Sequence, residues 1–217
     1  QVPYSEKELN EATLKLVDDQ KIQNGYIRPF VWRGSEMMGV SAQKTKINVA
    51  IAIWDWPAYF DAKLKQKGIK LNISKWQRPP QNSSPWDSKA AGLYMICTLS
   101  KHEAEKQGYT DSLMLDHEGN IAEATSANIF FKDTNDELNT PIPDSFLDGI
   151  TRKTVIEIAK FKGIKINERK ISPDELTNFK GCFITGTAAE ITPVGNITDN
   201  KFEVCNLIKD LTASYEA

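Results

Sequence analysis

The apolar run "INVAIAIW", residues 47–54, constrains the fold more than any other stretch. Ile47, Val49, Ile51 and Ile53 share one face of a strand, while Ala50, Ala52 and Trp54 make the other face apolar too. Such a strand is expected to be buried on both sides, which calls for secondary structure layered over it and points to an α/β or α+β fold. The run is too short to span a bilayer, and no signal-peptide pattern opens the chain, so a cytoplasmic protein is expected.

Periodicity supplies the remaining elements. Ser5 with Glu8 reads as a capping box, and Leu9, Ala12, Leu16 and Val17 follow at helical spacing, which predicts a helix over 6–20 stopped by Asn24 and Gly25. "YIRPFVWRG" reads as a strand. Residues 57–70 are polar and lysine-bearing and lead into "GIKLNISKWQRPPQNSSPWD", rich in Pro, Ser and Asn; this is the expected boundary. It gives the remainder of a small lobe at 1–60, a linker at 61–68 and a larger lobe at 69–217. In the larger lobe the pattern predicts a helix over 90–107 ended by Gly108, and a hairpin in "DSLMLDHEGNIAEA" turning at Glu118 to Asn120. A strand "ANIFFK", a helix over 154–162 closed by Gly163, strands "IKINERKI" and "CFITG", and a final helix in "FEVCNLIKDLTASYEA" complete it. Strands outnumber the parallel crossovers that can be drawn, so a mixed sheet is expected rather than a doubly wound one.

With 217 residues, 40% of them hydrophobic, the chain can bury a real core. The net charge of -2, with basic residues spread throughout, lacks the footprint of a nucleic-acid binder. Cys97, Cys182 and Cys205 are far apart without a Cys-x-x-Cys, which argues against a disulfide framework or a zinc site and for a reducing compartment. His102 and His117 lack metal-ligand spacing and read as solvated residues; no metal is expected.

Four stretches could carry chemistry. In "DSKAAGLYMI", Lys89 precedes Ala90, Ala91, Gly92 and Tyr94; a lysine enclosed by small residues loses solvation, its pKa falls, and its amine can form a Schiff base. Glu123, in "NIAEATSANIFF", lies between apolar residues, where a carboxylate is costly unless it meets a lysine, an arginine or a protonated nitrogen. In "FLDGITRKTV", Gly149, Ile150 and Thr151 stand ahead of a helix whose free N–H groups attract an anion, a phosphate in particular; the plainer reading is an ordinary cap. Gly186, Thr187 and Ala188, in "FITGTAAEITP", place exposed amides and a hydroxyl after a buried strand, or form a plain polar turn.

Together these pieces resemble the fold type IV pyridoxal-phosphate aminotransferases. The resemblance rests on "EATSANIFF", "LNT" and "LDGITR", with Glu123, Asn128, Phe130, Leu138, Thr140, Leu147, Gly149, Ile150 and Arg152 at the family's spacings. "GYIRPFVWRGSEMMGV", "WPAYF", "SKAAGLY" and "GTAAEITPV" look like the branched-chain amino acid aminotransferases, and the wording is similar to their bacterial short form. The resemblance implies a two-lobed fold whose larger lobe is a mixed-sheet pseudo-barrel with helices. It also implies pyridoxal 5'-phosphate as cofactor, and transamination of leucine, isoleucine and valine with 2-oxoglutarate.

It further implies roles. Lys89 carries the cofactor and shuttles the substrate's α-proton; Glu123 faces the pyridine nitrogen; Tyr94 bonds the phenolic oxygen; Leu147 packs on the ring. Ile150, Thr151 and Thr187 hold the phosphate, Gly149 and Gly186 also belong to the cofactor site, and the amides of Gly186, Thr187 and Ala188 meet the substrate carboxylate. Tyr26, Arg28 and Tyr59 belong to the substrate side, and Val40 to a loop reaching a neighbouring subunit, which implies a homodimer or higher homo-oligomer. The implied partners are small amino acids and 2-oxo acids, with neither nucleic acid nor membrane. Met37, Met38 and Val40 read equally as an interface or as the edge of a core.

Two departures stand out. Many relatives carry a second glutamate where this chain has Ala127, and the family's phosphate-binding arginine lies upstream of Gln1, so an N-terminal segment is expected to be missing. Another transaminase or a lyase of the same scaffold (D-amino acid transaminase, aminodeoxychorismate lyase) stays open, as does an inactive remnant that only binds or assembles.

Overall fold

The structure, a computed structural model, describes residues 1–56 and 60–217. The chain divides into two compact units, Gln1–Tyr59 and Phe60–Ala217.

In the first unit, α1 (Glu6–Gln20) opens on the expected capping box: Glu8 N–H donates to Ser5 Oγ at 3.3 Å, and Ser5 N–H donates to the Glu8 carboxylate at 2.7 Å. The helix ends at Gln20 as predicted, but what stops it is Lys21, with a left-handed φ of 54°, rather than Asn24 and Gly25. Gly25 opens the next strand instead. β1 (Gly25–Arg33) pairs antiparallel with β2 (Ile47–Asp55), Gly25 opposite Asp55 and Arg33 opposite Ile47. The double-sided burial predicted for β2 is not found; Ile47 to Trp54 are half-buried. Among the described residues of this unit, a two-stranded sheet and one helix do not supply enough cover for both faces. Met38 and Val40 are 102% and 106% exposed, so within the chain they do not edge a core.

The second unit is built on one mixed sheet. Its strands are β3 (Ile69–Gln77), β4 (Asp111–Leu115), β5 (Ile121–Ala124), β6 (Asn128–Lys132), β7 (Leu138–Thr140), β8 (Ile166–Glu168), β9 (Gly181–Gly186), β10 (Glu190–Ile197) and β11 (Asn200–Lys201). Their order is β5-β4-β3-β10-β9-β6-β7-β8, with β11 beside β10. β3 runs parallel to β4 and β10, and β7 parallel to β8; the other pairs are antiparallel. A tight turn, in which Ala124 N–H donates to Ala127 C=O at 2.8 Å, returns the edge strand β5 beside β6 and curls the sheet into a partial barrel.

Both faces are covered, and β6 and β9 show why their sequences are continuously apolar. Ile129, Phe131, Cys182 and Ile184 enter one cluster with Leu71, Leu113 and Val194. The alternate residues Phe130 and Phe183 turn to the other face, where Val155 and Ala159 of α4 (Ile150–Phe161) and Ile208 and Leu211 of α5 (Asn206–Glu216) cover them. Their rings stack with centroids 5.0 Å apart and planes 1° apart. Burial of each such side chain contributes roughly 1.5–3 kcal/mol.

Several boundaries differ from the sequence reading. The stretch 61–68 carries a short helix, α2 (Ala62–Lys67), and the supposed Pro/Ser-rich boundary contains β3, central to the sheet. The helix predicted from Ala90 starts later. Ala90 is extended, with ψ 132°, Ala91–Tyr94 form a 3-10 turn, and α3 (Met95–Lys106) follows, packed on β3 and β4. Helix α4 starts a turn earlier than predicted, with Gly149 as its N-cap. "CFITG" is not the last strand, since β10 and β11 follow it. Among the described residues no helix is long and apolar enough to cross a membrane.

Candidate active site

One cleft of about 290 Å³ lies in the second unit where the β5–β6 turn, the Lys89–Tyr94 turn, the start of α4 and the β9–β10 turn meet. Lys89, Tyr94, Glu123, Leu147, Gly149, Ile150, Thr151, Gly186 and Thr187 all line it. Ala188 is half-buried and is not part of the lining.

Lys89 donates from Nζ to the Tyr94 hydroxyl at 3.1 Å, with the ammonium 5.5 Å from the ring centroid. The extended Ala90 and the 3-10 turn after it bring the two side chains together across five residues, a spacing that an ideal helix would spread apart. The sequence expectation of an enclosed lysine is corrected: Lys89 is exposed. The space beside the small residues that follow it is open: a Cβ added at Gly92 would meet nothing within 4 Å.

Glu123 is 7% exposed on β5, and burial pushes its carboxyl up to about 8, against the pull of Arg78 and then Lys89. Two donors approach its oxygens: Arg78 Nε lies 3.5 Å from Oε1, and Asn128 Nδ2 lies 3.4 Å from Oε2. Both distances are long, so the buried carboxylate is only loosely satisfied. Asn128 also donates to the Leu147 carbonyl at 2.9 Å and accepts the Gly149 N–H at 3.1 Å. One amide thus links the carboxylate strand to the loop entering α4.

Gly149 has no side chain to cap α4, which leaves the first-turn amides at the cleft. A Cβ there would come 2.4 Å from Asn128 Oδ1, so the close approach requires glycine. The helix is anchored by Arg152, whose Nη1 meets Asp148 Oδ1 at 3.0 Å and whose Nη2 meets Glu168 Oε2 at 2.8 Å and the Pro141 carbonyl at 3.1 Å. Across the cleft, Thr185 is 1% exposed with its hydroxyl unpartnered within the structure, at the register position opposite Asn128.

Sequence reasoning missed Arg78, Cys97 and Thr185, and gave Asn128 no role beyond its place in the motif. The available signals were weak: Arg78 follows an alternating Ile69, Leu71, Ile73 pattern that marks a strand end. In the first unit, Tyr26 packs in an aromatic cluster, 5.3 Å from Trp54 and 5.1 Å from Trp56 between centroids. Arg28 is exposed on β1 opposite Ala52, and Val40 is exposed. Tyr59 lies outside the described residues.

The cleft therefore combines an amine, a phenol, a buried and loosely satisfied carboxyl beside Arg78, and a helix end offering amides to an anion. Residues 1–197 match the amino-transferase class IV family. The chain is 44% identical, over 197 residues, to a "Probable branched-chain-amino-acid aminotransferase" of Rickettsia bellii, covering 90% of this chain and 66% of that one. It is 40% identical over 202 residues to the "Branched-chain-amino-acid aminotransferase" of Pseudomonas aeruginosa, covering 93% and 65%. The chain spans about two thirds of the length of these relatives. Among solved structures, the T.th. branched-chain amino acid aminotransferase with pyridoxamine 5'-phosphate superposes with a TM-score of 0.95 at 33% identity, over 100% of this chain and 72% of that one. The branched-chain aminotransferase of Thermoproteus uzoniensis with norvaline gives 0.92 at 31%, over 99% and 71%. The chain belongs to the class IV aminotransferase family.

Proposed function

We propose that this chain catalyses transamination of branched-chain L-amino acids (leucine, isoleucine, valine) with 2-oxoglutarate, using pyridoxal 5'-phosphate held at Lys89. The observation that carries the reading is the convergence of Lys89, Tyr94, Glu123 and the start of α4 on one cleft. The donor set fits the cofactor: a protonated ring nitrogen would give Glu123, which Arg78 meets only at 3.5 Å, a closer positive partner, the uncapped α4 amides suit a phosphate, and the Thr185 hydroxyl is available to a ligand. When bound, the cofactor acts as an electron sink for the electrons of the substrate's α-carbon.

The remaining chemistry belongs to the chain. Lys89 Nζ would hold the cofactor and, as a free amine, would move the proton at the substrate α-carbon. Tyr94 bonds the cofactor's phenolic oxygen, Glu123 keeps the ring nitrogen protonated, and Leu147 packs on the ring. Ile150, Thr151 and Thr187 would bind the phosphate beside Gly149 and Gly186, while the amides of Gly186, Thr187 and Ala188 would receive the substrate carboxylate. Tyr26, Arg28 and Tyr59 serve the substrate side chain, Arg28 meeting the second carboxylate of glutamate. Val40 reaches the site of a second copy, so the working form is at least a homodimer, acting in the cytoplasm.

The test is an assay of the purified chain with pyridoxal phosphate, L-leucine and 2-oxoglutarate. Glutamate should form, and Lys89→Ala should lower the rate by about 100-fold or more. Turnover of a D-amino acid instead of L-leucine, or pyruvate released without an amino acceptor, would contradict the assignment.

A further inference from the structure

Arg78 directly follows β3 and is 4% exposed. Its guanidinium reaches four groups on separate segments. Nε donates to the Ser145 carbonyl at 3.2 Å and lies 3.5 Å from Glu123 Oε1; Nη1 donates to the Leu93 carbonyl and lies against Cys97 Sγ, both at 3.3 Å. Leu93 belongs to the turn between Lys89 and Tyr94, and Ser145 lies two residues before Leu147. A guanidinium stays charged in any protein interior, and burying it is costly unless a carboxylate answers it. Glu123 is that carboxylate. The exposed ammonium of Lys89 is screened by water, so Arg78 is the enclosed cation that acts on Glu123.

We propose that Arg78 is a positioning residue of the cleft: it draws the Glu123 carboxyl toward its charged form against burial, holds it in place, and ties it to the Lys89–Tyr94 turn and to the loop leading into Leu147. The functional consequence rests on the proposed cofactor role of Glu123; the contacts themselves do not. Glu123 is faced by Arg78 at the end of β3, Lys89, Cys97 of α3, Asp111 of β4 and the neutral Asn128 of β6. Removing the Arg78 charge leaves Lys89 as the cation named among them.

The test follows the Glu123 carboxyl carbon by NMR in the cofactor-free chain labelled with [δ-13C]glutamate, the resonance being assigned by its loss in Glu123→Gln. Arg78→Gln keeps a hydrogen-bonding side chain but no charge, and should raise the Glu123 midpoint by about one unit or more, whereas Arg78→Lys should hold it within about half a unit. Arg78→Gln should also weaken pyridoxal phosphate binding about tenfold. An unchanged Glu123 midpoint in Arg78→Gln overturns the proposal, whatever the effect on melting temperature. Should that variant fail to fold, Arg78→Gln is made in Glu123→Gln. A folded double variant supports the proposal, because the arginine is then needed only beside the carboxylate; an unfolded one overturns it. Failure of the wild-type chain to bind pyridoxal phosphate would sink the cofactor reading and leave the NMR result to judge Arg78.

Discussion

Glu123 concentrates the site's electrostatics in one side chain, and its effect can be read from stability alone. The unperturbed carboxyl titrates near 4.5 and the folded one at about 8. Between those values the unfolded chain releases this proton while the folded chain keeps it, so stability falls as pH rises through the window and levels off above it. Glu123→Gln removes the titration. Chemical denaturation of the cofactor-free chain should therefore show the variant gaining on the wild type by a few kcal/mol from pH 4.5 to pH 8, with no further gain above. A difference that stays constant across that range would mean Glu123 is not desolvated. This residue was legible in sequence because a carboxylate amid Ile121, Ala122 and Ala124 demands a partner. Arg78 was not legible, since its neighbours Pro79 and Pro80 drew the eye to a boundary. Lys89 was picked out for a burial it does not have.

Elements whose two faces differ from ordinary patterns were the ones read poorly. Helix α1 announced itself by its capping box and α5 by its periodicity, yet β10 carries Pro193 and Gly195, residues that speak against a strand. The structure accommodates them: Pro193 pairs with Phe183 on the β9 side and precedes the parallel pairing with β3, which begins at Val194 and is irregular before Asn196. Helix α4 was drawn from 154, a turn late, although the cap reading of Gly149 already placed a helix start there; the glycine caps the helix and admits Asn128. Gly149→Ala should displace the Asn128 amide, because its Cβ would lie 2.4 Å from Oδ1. Two hydrogen bonds that link Glu123 to the α4 loop would loosen. The expected cost is about 1 kcal/mol in denaturant stability and about tenfold in pyridoxal phosphate affinity, measured by equilibrium titration. Unchanged affinity would show that the Asn128 link does not support the anion end of the site.

At the scale of the whole molecule the two units differ in burial. No described residue of the first unit is buried, whereas β4, β5, β6 and β9 are buried almost throughout. Hydrogen exchange should therefore find the amides of β1 and β2 exchanging far faster than those of β6 and β9; equal protection would contradict this division. The mixed, curled sheet was foreseeable from strand count and from the family resemblance. Its strand order was not, because the pairing of β3 with β10 joins segments more than a hundred residues apart that no local pattern connects.

The central claim is that Lys89, among all the chain's lysines, holds the cofactor. The chain should be incubated with pyridoxal phosphate, reduced with borohydride to fix any cofactor–lysine linkage, digested, and its peptides read by mass spectrometry. The account predicts the pyridoxyl phosphate adduct on the peptide containing Lys89, and its loss in Lys89→Ala. An adduct spread over surface lysines, or one undiminished in Lys89→Ala, would contradict it.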